Sequence, residues 1–270
     1  MGFMASVFSE VDLRDARVAT EVWLEQFIGK MGLDYRPQSH IFDHLPAALR
    51  AIQNGEIEIM NLTALDYLDL HEASILEPYV VGVGFDGSRD NTYVLMVHAE
   101  AEIPSLQDLQ GKCIRIDSRS RIAALWLDVL LLREGLPEGR TFFEDIMEVE
   151  KVSRAILPVF FKQADACIVT QHAFNTMVEL NPQLGRVLKP LAQSRGLLKG
   201  LLCFTRALDP KDQDPIKKSV LKLHSGPEGQ QVLMLFGLKQ VVPFQPQYLN
   251  STLKLKNEYK DLKLSGEQSP

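Results

Sequence analysis

Two successive series of strand, capped turn and helix restrict the fold of this chain more than any other feature. The first opens on Gly2 to Phe8, a short, apolar, β-prone stretch that reads as the tail of a strand. A helix follows Asp12, where Ala16, Ala19, Trp23 and Phe27 recur at spacings of three and four, and Gly32 supplies a stop. A second helix follows Asp43. Pro46 suits its first turn, Leu45, Leu49 and Ile52 share a face, and Asn54-Gly55 ends it. Glu56 to Leu62 alternates into a strand, and Thr63 before Ala64, Leu65 and Asp66 is a capping-box pattern that starts another helix. An order of strand, helix, strand, helix implies a parallel sheet covered by helices.

A second series begins near residue 105. It is preceded by two β-like stretches, Val80 to Phe85 and Thr92 to His98, with Gly87, Ser88, Asp90 and Asn91 as the turn between them. Ser105 caps one short helical turn that Gly111 ends, Cys113 to Ile116 is a strand, and Ile122 to Leu132 is a strongly apolar helix. Val152 to Phe161 reads as an amphipathic helix bent or ended near Pro158. Ala164 to Val169 is a buried strand, and Thr170 caps a helix from Gln171 to Leu180. Arg186 to Leu191 and Leu201 to Thr205 read as strands. The C-terminal part reads as helical, with Asp214-Pro215 as an N-cap followed by proline and Pro227 opening a further helix. The tail after Leu264 is polar and is expected to be disordered.

Composition narrows the classes of function. The 270 residues are 46% hydrophobic and 24% charged, which excludes a disordered or fibrous chain. The formal charge of −6 argues against nucleic-acid binding, which needs a basic footprint, but a local anion site needs only a few oriented donors. Cys113, Cys167 and Cys203 are too few and too scattered for a zinc site or a disulfide scaffold, and whether any two are bridged stays open. No apolar run reaches membrane-span length, and no secretory signal pattern opens the sequence.

The succession Val11-Asp12-Leu13-Arg14-Asp15-Ala16, Asn54-Gly55-Glu56-Ile57-Glu58-Ile59 with Asp66-Tyr67, Ser105-Leu106-Gln107-Asp108-Leu109-Gln110-Gly111-Lys112, Ala164-Asp165-Ala166 and Gly226-Pro227-Glu228-Gly229-Gln230-Gln231 resembles the type II periplasmic solute-binding proteins. Within them it is similar to the phosphate/phosphonate-binding, PhnD-like group of ABC transporters. The resemblance implies an α/β fold of two lobes, each a mixed, mostly parallel sheet flanked by helices, joined by a two-strand hinge. Residues 1–97 and 197–270 would form the first lobe and residues 98–196 the second, with strands near Thr92–His98 and Leu188–Ser194 as the hinge. It further implies a small anion, phosphonate- or phosphate-like or a carboxylate, captured in an interlobe cleft that closes on it. An ABC importer's permease would then recognise the closed form.

The strongest candidate site is Asp117-Ser118-Arg119-Ser120-Arg121, between a strand and a helix N-terminus, where free N–H groups, hydroxyls and guanidinium groups would cradle an oxyanion. Ser118 and Ser120 match the Ser/Thr-rich loop of the phosphonate-binding relatives. Arg119 and Arg121 depart from its small residues, which keeps other anions open. The plain alternative is that Asp117 or Ser118 caps the helix and the arginines are solvated. Asn61, Thr63 and Tyr67 follow the first lobe's strand Glu56–Leu62, and Thr170, Gln171 and His172 follow Ala164–Val169 in the second; capping is the alternative for both threonines. Tyr93 could donate its phenol to a ligand. Ser6, Phe8 and Ser9 follow the first strand, with core packing as the alternative for Phe8. His40, Asp43 and His44 invite a metal reading, but a capped helix entrance is the better account, so no metal and no cofactor are expected.

Gly-x-Ser-x-Gly, Walker and Gly-x-Gly-x-x-Gly signatures are missing, Gly82-Val83-Gly84 being a fragment only, and no catalytic residue is assigned. The expected partners are a small-molecule anionic ligand and a membrane permease or sensor kinase, with the protein a monomer in the periplasm or otherwise outside the cytoplasm. The first strand reads as clipped, which suggests that an export segment preceded Met1. Two alternatives keep the scaffold: a ligand-sensing input domain of a receptor, and a cytoplasmic enzyme of the menaquinone or thiamine-precursor type.

Overall fold

A computed structural model describes residues 1–8, 11–31, 36–70, 75–118 and 120–267. The chain divides into two units. The first comprises Met1–Asp90 and Leu198–Tyr248, the second Asn91–Leu197 and Leu249–Pro270, so the chain passes between them at residues 90/91, 197/198 and 248/249.

The first unit is built on a six-stranded sheet in the order Leu238–Pro243, Leu76–Gly84, Gly200–Thr205, Ile59–Thr63, Gly2–Met4, His40–Phe42. Gly2–Met4 runs parallel to both neighbours, with Phe3 opposite Ile41 on one side and Asn61 on the other. The parallel part is therefore the strand–helix–strand region that the sequence implied. Gly200–Thr205 pairs antiparallel with Ile59–Thr63 and Leu76–Gly84, and Leu238–Pro243 closes that edge antiparallel. Tyr79, Val80, Phe204, Leu208, Ile216 and Val220 form one apolar cluster, in which the rings of Tyr79 and Phe204 stack. Phe3, Phe8 and Ala16 form another.

The second unit has a five-stranded sheet in the order Leu188–Gln193, Tyr93–His98, Ala166–Thr170, Cys113–Asp117, Asp145–Val149. The last three strands are parallel, and Tyr93–His98 and Leu188–Gln193 are antiparallel. Val94, Met96, Ile156, Val159, Cys167 and Leu184 are among the residues of its buried cluster. Full burial of each such side chain contributes about 1.5–3 kcal/mol. The strands expected to run between lobes thus pair with each other inside this sheet, from Leu188 opposite His98 to Gln193 opposite Val94.

Several expectations are corrected. Residues 249–270 belong to the second unit, not to the first. The helix Asn250–Glu267 packs along Arg121–Arg133, where Arg133 grips Glu258 through Nε–Oε1 at 2.6 Å and a second hydrogen bond of 2.9 Å to Oε2. Tyr259 and Lys263 both reach Glu138. The tail expected to be disordered after Leu264 stays helical to Glu267. The helix assigned to Asp214-Pro215 begins one Asp-Pro pair earlier. Asp209 accepts from the Lys211 N–H at 3.0 Å and Pro210 sits in the first turn, leaving Pro215 inside the helix Pro210–Leu221. The helix Val152–Phe160 carries Pro158 within it and ends two residues later, near that proline as expected. Residues Leu184–Val187 form a helical turn before the strand that was expected to start at Arg186. Gly32 lies outside the described residues.

All three cysteines are free. Burial pushes the Cys167 thiol up to about 12 and raises that of Cys203 well above its ordinary value. Half-buried Cys113 is raised by burial and by Asp165, Glu144 and Asp145. Thiolates are the reactive species, so a thiol reagent should titrate at most Cys113, slowly, in the native protein and all three cysteines after denaturation. Rapid native reaction of two or more thiols would contradict this packing.

Candidate functional site

In the second unit the register brings three polar groups to one end of the sheet. Tyr93, at the start of its strand, stands opposite Thr170, at the end of Ala166–Thr170. Cys113–Asp117 runs parallel to that strand with Ile116 opposite Ile168, so the segment beginning at Ser118 leaves the sheet at the same end as Thr170. Both strands feed capped helices. Ser120 Oγ accepts from the Ala123 N–H at 3.3 Å at the start of Arg121–Arg133. Thr170 Oγ1 accepts from the Ala173 N–H at 3.1 Å at the start of Gln171–Leu180. These caps leave other first-turn N–H groups and the positive ends of two helix dipoles at that end of the sheet.

Ser120 also donates to the Tyr93 phenol oxygen at 3.2 Å. Tyr93 is buried, and burial raises its pKa, with side-chain hydrogen bonds from Ser120 and Asn91 pulling the other way. The phenol therefore stays protonated at neutral pH. Its oxygen accepts from two neighbours and its own O–H remains a donor. Ser118 is exposed, and its backbone N–H donates to Val149 at 2.9 Å. Arg121 is exposed in the helix's first turn, where a cation opposes the helix dipole and an anion would complement it. Of the sequence candidates, the structure thus groups Ser118, Ser120, Arg121, Tyr93 and Thr170. Gln171 is one residue further on, and its side-chain amide donates to Asn175 at 2.7 Å on an exposed face. His172 is exposed. Arg119 lies outside the described residues.

In the first unit, parallel pairing of Gly2–Met4 with Ile59–Thr63 brings Ser6 and Thr63 to one end of that sheet. Both hydroxyls donate to Asp66 Oδ2, Ser6 at 2.9 Å and Thr63 at 2.7 Å, while the Asp66 N–H donates back to Thr63 at 3.2 Å. Asp66 is fully buried, and these bonds satisfy a carboxylate that would otherwise be costly there. The two hydroxyl protons are thus committed to Asp66, and the Thr63 oxygen also accepts from the Asp66 N–H. Asn61, half-buried, lies in the same strand; Tyr67 is buried, which raises its phenol.

Phe8 is fully buried and its ring lies against Phe3 and Phe236 at centroid distances of 5.6 and 5.1 Å. Of the two readings of Phe8, packing in the core is the one these contacts match. Ser9 lies outside the described residues. His40 ends up in a short edge strand, exposed like Asp43 and His44, and among the described residues no three His, Cys, Asp or Glu side chains group as a metal site. No helix of the described residues is long and apolar enough to cross a membrane.

Sequence reasoning missed the part played by Asp66, which it read only as a capping residue. The Thr63-x-x-Asp66 spacing was visible, but the partner Ser6 is 60 residues away. Asn91, which hydrogen-bonds the Tyr93 phenol, was read only as a turn residue.

The model of the family described as "ABC transporter, phosphonate, periplasmic substrate-binding protein" matches residues 4–249. No curated protein matches the chain. Among solved structures, the binding-protein component of an ABC phosphonate transporter from Pseudomonas aeruginosa is 13% identical with a TM-score of 0.74, over 98% of this chain and 87% of that one. A Xanthomonas citri protein bound to ATP is 14% identical with a TM-score of 0.74, over 97% and 96% of the two chains. PhnD1 of Prochlorococcus marinus, in complex with methylphosphonate, is 11% identical with a TM-score of 0.69, over 96% and 98%. At these identities the likeness is one of fold, the α/β fold of type II periplasmic binding proteins.

Proposed function

The chain belongs to the periplasmic substrate-binding proteins of phosphonate ABC transporters, and from that premise we propose that it captures a small tetrahedral oxyanion at the strand ends of its second unit. Members of this family bind and deliver a substrate without transforming it, and the family places the protein in the periplasm or otherwise outside the cytoplasm, with an ABC permease as its partner. The observation that carries the anion reading is the Ser120–Tyr93 pair. A helix N-cap hydroxyl is bonded to a buried, protonated phenol, beside a second capped helix at Thr170. Such a cluster offers oriented N–H and O–H donors, which suit an anion and do not need a net positive chain.

Ser118, Ser120, Arg121, Tyr93 and Thr170 are the binding residues of this reading. Asn61, Thr63 and Ser6 stand together at the strand ends of the first unit's own sheet. Phosphonates, phosphate and its esters, and sulfonates share that head, and carboxylates present a planar version of it. Capture ends in a closed form, which a ligand favours by its differential affinity for it and by no more than that.

Native mass spectrometry of the purified protein is expected to show one co-purified oxyanion, released unchanged on denaturation. Small-angle scattering is expected to show a smaller radius of gyration when that ligand is restored. Conversion of the ligand would overturn the binding reading, and saturating ligand without compaction would overturn closure.

A further inference from the structure

We propose that Arg89 is a positioning residue that ties together the three segments through which the chain passes between its two units, so that they flex as one. The three crossings lie at residues 90/91, 197/198 and 248/249. Arg89 immediately precedes the first. Its carbonyl accepts from the N–H of Lys199, just beyond the second, at 3.0 Å. Its guanidinium lies 4.3 Å from the ring centroid of Tyr248, the residue just before the third. One residue thus holds all three segments, two of them by groups that nothing else in the sequence order would bring together.

The surroundings reinforce the tie between the first two segments. The two-residue strands Asp90–Asn91 and Leu197–Leu198 pair. Ser88 Oγ donates to the Asp90 carbonyl and accepts from its N–H, both at 3.0 Å, fixing the turn before Asp90. The Lys199 ammonium lies 3.9 Å from Asp86 in that turn, and Gly84 leaves it room: a Cβ there would stand 2.5 Å from Lys199 Nζ. The third segment is joined to this group by the Arg89–Tyr248 contact. Beyond it, Leu249 leads into Asn250–Glu267, held on the second unit through Arg133–Glu258 and Glu138. The cation–π contact is therefore the side-chain element that recruits the third crossing to the other two.

The functional consequence rests on the capture reading above. Segments that flex independently leave the unliganded protein more conformational freedom to lose on closure, so breaking the tie weakens ligand binding without touching a binding residue.

Hydrogen exchange of the full chain without ligand tests the tie directly. Arg89→Ala and Tyr248→Leu should each speed exchange at residues 249–251 by about threefold to thirtyfold, the range of a partly buried cation–π contact. The double variant should add nothing further, and Arg89→Lys, which keeps a cation over the ring, should restore most of the protection. Additive effects, an unchanged segment 249–251, or no rescue by lysine would overturn the proposal. Titration with methylphosphonate as probe is the second arm. Loss of about threefold or more in affinity in Arg89→Ala, against wild type, is expected. Wild-type protein that binds neither methylphosphonate nor any other oxyanion would overturn the capture reading, and the exchange comparison would still decide the tie.

Discussion

Replacing Ser118 and Ser120 together by alanine should lower oxyanion affinity about 100-fold or more. Hydrogen bonds to a charged group are worth about 1.5–3 kcal/mol each, roughly tenfold or more in affinity apiece; Ser118 supplies one such donor directly, and Ser120, whose proton goes to Tyr93, holds the phenol that supplies another. Ser120 has two reasons to matter. Its hydroxyl bonds the Tyr93 phenol at 3.2 Å, and its oxygen caps the helix at the Ala123 N–H. Ser118 is exposed at the strand end and contributes a hydroxyl with little structural duty. Loss of the N-cap costs about 1 kcal/mol of stability, so the double variant remains folded and its melting temperature falls by a few degrees at most. Calorimetric titration of both proteins with the same ligand checks this, and equal affinities would remove the cradle from the account. Tyr93→Phe, which deletes the phenol donor while keeping the ring, should weaken binding by roughly tenfold for the same reason.

The opposite signature is expected for Phe8→Ala: a large loss of stability and little loss of affinity. Phe8 is fully buried against Phe3 and Phe236. Truncating a core phenylalanine costs about 3–5 kcal/mol, from lost burial and from the cavity left behind. Urea denaturation of the purified variant measures the first quantity, and titration below its unfolding transition measures the second. A cost below about 1 kcal/mol, or an affinity loss as large as that of the serine double variant, would return Phe8 to the ligand site.

These two variants also mark where the sequence was readable and where it was not. Caps were legible. Thr63 and Thr170 announced themselves as hydroxyl residues between an apolar strand and an apolar helix, and the structure uses both in that way, while the cap read at Asp117 or Ser118 falls at Ser120 instead. Fold class was legible for the same reason: the alternation of strand and helix up to Asp66 leaves few alternatives to a parallel sheet. Phe8 was not legible, because an aromatic side chain after a strand has the same local pattern whether it meets a ligand or Phe236, which is more than 200 residues away.

Edge strands were the other blind spot. His40–Phe42 is three residues long, too short to show a period, and Asp145–Val149 exposes most of its residues, so neither carries an alternation. Both are strands because a parallel neighbour supplies their hydrogen bonds. The helix Asn250–Glu267 is polar along most of its length and is placed by Arg133–Glu258 and by Glu138. Those are tertiary pairings with no local signature. The choice between Asp209-Pro210 and Asp214-Pro215 as a helix start was ambiguous, since both are Asp-Pro pairs. A proline inside a helix is tolerated here, five residues in, where it forfeits one backbone bond.

The capture reading requires that the second unit hold a small oxyanion with hydroxyl donors, Arg121 and helix N-termini. A thermal-shift series over phosphate, methylphosphonate, alkylsulfonates and carboxylates, run on wild type and on the Ser118→Ala, Ser120→Ala double variant, tests it most directly. A ligand that binds only the folded protein stabilises it by about 2.7 kcal/mol at a hundredfold excess over its dissociation constant. One class of anion should raise the wild-type melting temperature in step with concentration and leave that of the double variant almost unmoved. An equal rise in both proteins, or no rise with any anion, would contradict it.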